Sequence, residues 1–150
     1  MRNFLIKTLS TFFYVGFLPL IPGTFASLIG VAIFYLIGGN LRPMILLTAL
    51  IIILGFAVSG EAEKMFNKKD AKYIVIDEVA GMLLSLMFLP FNIKFVIIAF
   101  VLFRLLDILK LYPANRIQEL NGSIGIMGDD IVAGLYTNLI MLVVLKMGFF

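Results

Sequence analysis

The chain contains neither cysteine nor histidine. Without cysteine there is no disulfide, no thiolate nucleophile and no thiolate metal site. Without histidine, the commonest general base and the commonest nitrogen ligand for metals are both missing. Charge is scarce as well. Asp, Glu, Lys and Arg make up 14% of the 150 residues, against about 25% in a typical soluble domain. What fills the chain instead is apolar: 62% of residues are hydrophobic. A soluble protein of this composition would expose large apolar patches to water and aggregate. Lipid is the solvent that suits it.

Five apolar runs lie between breakers: residues 24–37, 43–59, 76–89, 93–109 and 131–147. A span needs about 20 apolar residues, with about 17 as the lower limit. The first and third runs are therefore short, and must extend, tilt or thin the bilayer. Residues 1–22 are also apolar. Arg2 and Lys7 before residues 9–21 mimic a signal peptide, but no small-x-small cleavage site follows. A helix at the interface, or a re-entrant piece ending at Pro19, is expected there. The expectation is one all-α domain over residues 1–150. It is a polytopic membrane helical bundle of about four to five transmembrane helices, plus an N-terminal interfacial or re-entrant helix.

If the five runs are spans, the loops sort onto two sides. One side holds Arg2, Lys7, Lys64, Lys68, Lys69, Lys72, Lys110 and Arg116; the other holds Arg42, Lys94 and Lys146. Excess Lys and Arg marks the cytoplasmic side. All nine carboxylates fall on that same side: Glu61, Glu63, Asp70, Asp77, Glu78, Asp107, Glu119, Asp129 and Asp130. Asp77 and Glu78 open the third run, Asp129 and Asp130 open the fifth, and Asp107 closes the fourth. One acid at a helix start is explained by the helix dipole. Adjacent pairs are not, because like charges repel, and acids at a membrane edge mark function. Glu61 and Glu63 are expected to balance Lys64 and the loop lysines.

Helical spacing places Asp77, Gly81 and Ser85 on one face, and Asp130, Gly134 and Asn138 on another. Both faces are small and polar, and should turn toward the bundle interior. Arg104, Asp107 and Lys110 share a third face. They form either an intrahelical ion pair or a site where Arg104 and Lys110 meet an anion.

Carboxylates without histidine or cysteine favour a hard cation, Mg²⁺ or Mn²⁺, held through oxygen. Such an ion polarises a phosphoryl oxygen and activates water, and Arg or Lys neutralises the developing charge. Beside lipid, a phospholipid phosphate is the natural substrate. Histidine- and cysteine-dependent phosphatases are excluded by composition. No Asp-x-Asp motif of the aspartyl-phosphate phosphatases occurs, nor a Gly-rich loop ending in Lys-Ser/Thr. Gly122-Ser123-Ile124-Gly125 could form an anion-binding turn or an ordinary loop. A cation- or proton-coupled membrane transporter is the rival from another class, and a structural membrane subunit the third. Acids confined to one side argue against a through-path.

Four blocks resemble the phosphatidylglycerophosphatase A family. They are Ile21-Pro22-Gly23-Thr24 with Ser27-Leu28; Asp70 with Ile74-Val75-Ile76-Asp77-Glu78-Val79-Ala80-Gly81; Phe103-Arg104-Leu105-Leu106-Asp107-Ile108-Leu109-Lys110 with Pro113; and Gly125-Ile126-Met127-Gly128-Asp129-Asp130 with Ala133-Gly134 and Tyr136. They follow the family's order over about 115 residues. The chain departs at Ala26, Leu111 and Ser123, none of them a proposed ligand. The resemblance implies a Mg²⁺-dependent phosphatase converting phosphatidylglycerophosphate to phosphatidylglycerol and inorganic phosphate at the bacterial inner membrane. It implies acids at Asp70, Asp77, Glu78, Asp107, Asp129 and Asp130, with Thr24, Arg104 and Lys110 beside them.

Expected roles follow. Asp77, Glu78, Asp129 and Asp130 are catalytic and, with Asp107, ligate the metal. Thr24, Arg104 and Lys110 bind substrate, although Thr24 is also placed to cap its helix and Lys110 to snorkel. Asp70 is as readily a solvated loop acid. A metal-activated water with a carboxylate as general base is the expected course, and a covalent aspartyl-phosphate is the alternative. The partners are phospholipid and membrane, with no nucleic acid.

Overall fold

Breaks between helices fall at residues that cannot continue one. Pro22 occupies the first position of a helix, where its missing N–H costs nothing. Gly38 and Gly39 follow that helix with φ of 66° and 69°, a region costly for residues bearing Cβ. Asn67 and Lys110 end two other helices in the same left-handed region. Asn92 opens the helix after Pro90, its side chain accepting a hydrogen bond from Lys94 N at 2.9 Å.

The computed structural model describes residues 1–148. Its helices are α1 (Arg2–Ser10), α2 (Pro22–Leu36), α3 (Leu41–Phe66), α4 (Ile76–Leu86), α5 (Ile93–Leu109), α6 (Ala114–Ile117) and α7 (Ser123–Lys146), with a 3-10 turn at Val15–Phe17. No strand occurs among the described residues. The all-α expectation is met.

Lengths sort the helices. At about 1.5 Å per residue, a bilayer core of about 30 Å needs about 20 residues. α3 and α7, with 26 and 24 residues, are long and apolar enough to cross. α2 and α5 have 15 and 17. α4 has only 11, so the third apolar run is shorter than the sequence suggested, because it stops at Leu86. α1 has 9 and lies against α3, too short to cross.

α4 is the centre of the bundle. Nine of its eleven residues are buried, and α2, α3, α5 and α7 pack around it. Close packing against α7 depends on two glycines: a Cβ on Gly134 would lie 2.5 Å from the Gly81 carbonyl oxygen. The two small polar faces read from the sequence thus meet. Asn138 Nδ2 donates to Ser85 O at 3.3 Å and also to Met87 O.

The outer helices present apolar rows outward. Ile97, Val101, Leu105 and Ile108 form one on α5, and Leu135, Leu139 and Val143 another on α7. Exposed apolar area of this extent would cost about 25 cal/mol per Å² in water, and it suits lipid.

α7 begins eight residues before the predicted run, at Ser123 rather than 131. Glycines at 122, 125 and 128 read as loop, but two of them are used for packing. A Cβ on Gly125 would meet Leu120 O at 2.0 Å, and one on Gly128 would meet Ile117 Cγ2 at 2.4 Å. The helix continues because α6 and its following turn press on those bare positions.

Candidate functional site

The α3–α4 loop, the start of α4, the end of α5 and the third turn of α7 enclose one cavity of about 280 Å³. Asp77 and Glu78 enter it from α4, Asp107 and Ile108 from α5, Asp129 and Asp130 from α7, and Lys110 from just past α5. Asp70, Lys72 and Ile74 of the loop complete its wall. The structure therefore brings together all five predicted metal ligands, which lie up to 53 positions apart in the chain.

Their geometry is that of two overlapping triads. One carboxylate oxygen each from Asp77, Glu78 and Asp130 lie within 4.8 Å of one another, and so do oxygens of Asp107, Asp129 and Asp130. Asp130 belongs to both. Oxygens on opposite sides of one Mg²⁺ lie about 4.2 Å apart, twice the ~2.1 Å bond, so either triad approaches the spacing a hard cation needs. Asp77, Asp129 and Asp130 are only 6%, 5% and 3% exposed. Among the described residues, Asp77 Oδ1, Glu78 Oε2 and Asp130 Oδ1 are buried without a hydrogen-bond partner. Buried carboxylates left unpaired are costly. Their oxygen donors fit a divalent cation.

The helix dipole accounts for less than the sequence reading allowed. Asp77 and Glu78 stand in the first turn of α4. Asp129 and Asp130 do not open α7; they are its seventh and eighth residues, and its first turn holds no acid. The dipole effect fades within one turn. These two acids owe their place to the cavity.

The cations are already engaged. Arg104 Nη1 pairs with Asp107 Oδ2 at 2.8 Å. Lys110 Nζ lies 3.7 Å from Asp107 Oδ1 and contacts Asp129 Oδ2 directly. Burial alone would lower the Lys110 pKa, but the Asp129 hydrogen bond and the charges of Asp129, Asp130 and Asp107 outweigh it and hold it above the ordinary value. The intrahelical ion pair is thus present, extended by Lys110 to α7.

Thr24 is the third residue of α2 and makes no cap there, so the capping role is not used. It does not line the cavity. Its neighbour Gly23 does press on the site. A Cβ there would lie 2.1 Å from Glu78 Oε1 and 3.5 Å from Arg104 Nη1. α2 therefore seats its first turn directly against two of the predicted site side chains.

Two expectations change. Glu61 does balance charge, bonding Arg2 at 2.8 Å and Lys64 at 3.3 Å. Glu63 does not. Its two oxygens accept from Asp70 N at 3.1 Å and Gly122 N at 2.9 Å. The Gly122-Ser123 turn is correspondingly occupied: Gly122 N bonds Glu63, and Ser123 Oγ accepts from Gly60 N at 2.8 Å. It is an anion-binding turn, but its anion is internal. Asp70 is exposed on the cavity wall and accepts from Gln118 Nε2 at 3.4 Å.

Sequence reasoning missed Lys72 and Ile74 on the wall. Lys72 was one of four lysines in a basic loop, with nothing to separate it from the rest. Its proximity to Asp70 was the available signal.

The family model described as Phosphatidylglycerophosphatase A matches residues 8–145. A Bacteroides thetaiotaomicron protein, provisionally named a phosphatidylinositol-3-phosphatase, is 32% identical over 94% of this chain and 94% of its own. Phosphatidylglycerophosphatase A of Escherichia coli is 37% identical over 79% of this chain and 71% of its own. The Haemophilus influenzae protein of that name is 32% identical over 91% and 86%. No solved structure matches significantly.

Proposed function

The chain belongs to the phosphatidylglycerophosphatase A family, and from that membership we propose that it is a Mg²⁺-dependent lipid phosphatase. Its substrate is phosphatidylglycerophosphate, and its products are phosphatidylglycerol and inorganic phosphate. The observation that carries this reading is the convergence of Asp77, Glu78, Asp107, Asp129 and Asp130, with three buried oxygens unpaired, in one cavity.

Asp130, shared by the triads, would hold the cation, with Asp77, Glu78, Asp107 and Asp129 as the other ligands the cavity offers. When bound, the cation supplies Lewis-acid polarisation of a phosphoryl oxygen and a water of lowered pKa. The chain's own groups do the rest. Lys110 and Arg104, poised on Asp107 and Asp129, meet the charge of the phosphomonoester. The first turn of α2 backs the site through Gly23, against Glu78 and Arg104. One carboxylate takes the proton of the attacking water. Water adds at phosphorus, the bond from phosphorus to the glycerol oxygen breaks, that oxygen takes the proton held by the carboxylate to become the hydroxyl of phosphatidylglycerol, and inorganic phosphate is released.

In the membrane, α2, α3, α5 and α7 cross, α4 runs among them from the carboxylate end toward the far end, where Leu86 and Leu89 meet Phe34, Leu41 and Met44, and α1 with its following turn lies at the interface. The cavity then faces the cytoplasm of a bacterial inner membrane, a reading that the eight-to-three distribution of basic loop residues supports.

The test is phosphate release by the purified protein from phosphatidylglycerophosphate, with and without Mg²⁺. Phosphatidylinositol 3-phosphate serves as the competing headgroup. Mg²⁺-dependent release from the first is expected. Ion flux in liposomes without any phosphate release would overturn the reading.

A further inference from the structure

Two lysines line the cavity, and they stand differently. Lys110 is bound to Asp107 and Asp129. Lys72 is exposed, and among the described residues it makes no hydrogen bond or ion pair. Its Nζ lies 5.5 Å from the ring centre of the adjacent Tyr73. Elsewhere at this end Arg2 and Lys64 pair with Glu61, Arg116 with Glu119, and Lys69 with the Glu119 carbonyl; among the described residues Lys7 and Lys68 also have no carboxylate partner, but neither lines the cavity. Lys72 is a cation on the wall of an acidic cavity with no carboxylate of its own.

We infer that Lys72 receives the phosphodiester of the lipid substrate, one glycerol away from the phosphate that is removed. The inference rests on the lipid phosphatase reading above. That substrate carries two phosphorus groups. The terminal monoester belongs with the carboxylates and their cation. The diester keeps its negative charge throughout the reaction, and five nearby carboxylates repel it unless a cation stands between. Arg104 and Lys110 are committed to Asp107 and Asp129. Lys72 lies on the α3–α4 loop, at the exposed edge of the same cavity. A lysine suits that task because its flexible stem and point charge follow an anion whose depth varies with the lipid. Two-point recognition results. A lipid phosphomonoester without a diester, such as phosphatidic acid, has only the first anchor.

The test uses the full chain in uncharged detergent micelles with Mg²⁺. Lys72→Ala is expected to raise KM for phosphatidylglycerophosphate roughly tenfold, the worth of one charge-assisted contact. Its kcat should stay within about twofold of wild type. The inhibition constant of phosphatidylglycerol, which carries the diester alone, should rise by a similar factor. Lys72→Arg should restore both, and turnover of phosphatidic acid should not change. An unchanged KM and inhibition constant in Lys72→Ala would overturn the assignment. So would an equal loss on phosphatidic acid, or an effect seen only on anionic vesicles, which would assign Lys72 to the bulk bilayer surface. A wild type that releases no phosphate from phosphatidylglycerophosphate would instead overturn the activity reading, and this inference with it.

Discussion

The carbonyl oxygen of Gly81 occupies the space that a side chain on Gly134 would need, 2.5 Å from its Cβ position. This contact sets how near α4 and α7 approach. One turn back along each helix stand Asp77 and Asp130, so the glycine contact also sets how near those carboxylates come. Packing and ligand geometry are the same fact at this crossing.

Gly134→Ala is therefore expected to damage the site without touching it. The methyl would meet backbone, which cannot swing aside, and overpacking of this kind costs about 1–3 kcal/mol. A lower melting temperature in detergent, together with weaker Mg²⁺ activation, is the expected result. Unchanged values for both would mean that α4 and α7 are not held at this contact.

Neutral, isosteric replacement of the acids separates charge from shape. Asp77→Asn, Asp129→Asn and Asp130→Asn are each expected to lower turnover about 10²-fold or more, with helical content and membrane insertion kept. Asp130→Asn should be the most severe, because it removes an oxygen from both triads. Near-normal turnover in Asp77→Asn and Asp129→Asn would sink the assignment.

Metal removal should be visible in stability as well as in rate. Five carboxylates face one cavity with two cationic partners, Arg104 and Lys110. Chelation is expected to abolish activity and to lower the melting temperature, and Mg²⁺ should restore both. At 100 times its dissociation constant, a ligand specific to the folded state stabilises by about 2.7 kcal/mol. Full activity of metal-stripped protein in chelator would rule the cation out.

Glu63→Ala is expected to loosen two segments at once, the Asp70 loop and the start of α7. Hydrogen bonds to a charged acceptor are worth about 1.5–3 kcal/mol when buried, and less at this half-buried position. Glu63→Gln should keep one of the two bonds and fall between. Differential hydrogen exchange at Asp70 and Gly122 reads this directly, and unchanged protection at both would remove the tether.

The absence of cysteine makes sidedness simple to measure. Single cysteines at Lys69 and Lys94 have no background thiol. In right-side-out membrane vesicles, an impermeant maleimide should label Lys94→Cys and spare Lys69→Cys. The reverse pattern would turn the cavity to the outside.

How much could be read without the structure differs by element. α5 was legible at both ends, because its apolar run begins at residue 93, just past Pro90, and ends at residue 109 before Lys110, and both signals are local. The α7 start was not, because glycine at 122, 125 and 128 resembles a loop until the packing of Leu120 and Ile117 against those positions is known. Of the site, the five acids that converge on the cavity were legible as acids beside apolar runs, since charge at such places is costly and rare. Their convergence depends on how four elements cross, which no local pattern encodes. Glu63 and Lys72 were not separable, because each looks like one more charge in a charged stretch.

Ile108 lines the cavity and is also 70% exposed, the last member of the outward apolar row on α5. If this cavity is the reaction chamber, Ile108 joins its wall to the outward apolar surface. A lipid can bring its headgroup in while its tails never leave the hydrocarbon. The search is two-dimensional. What sets the encounter rate is the mole fraction of substrate in the surface, not its bulk concentration, so dilution with inert lipid should slow turnover while added water does not.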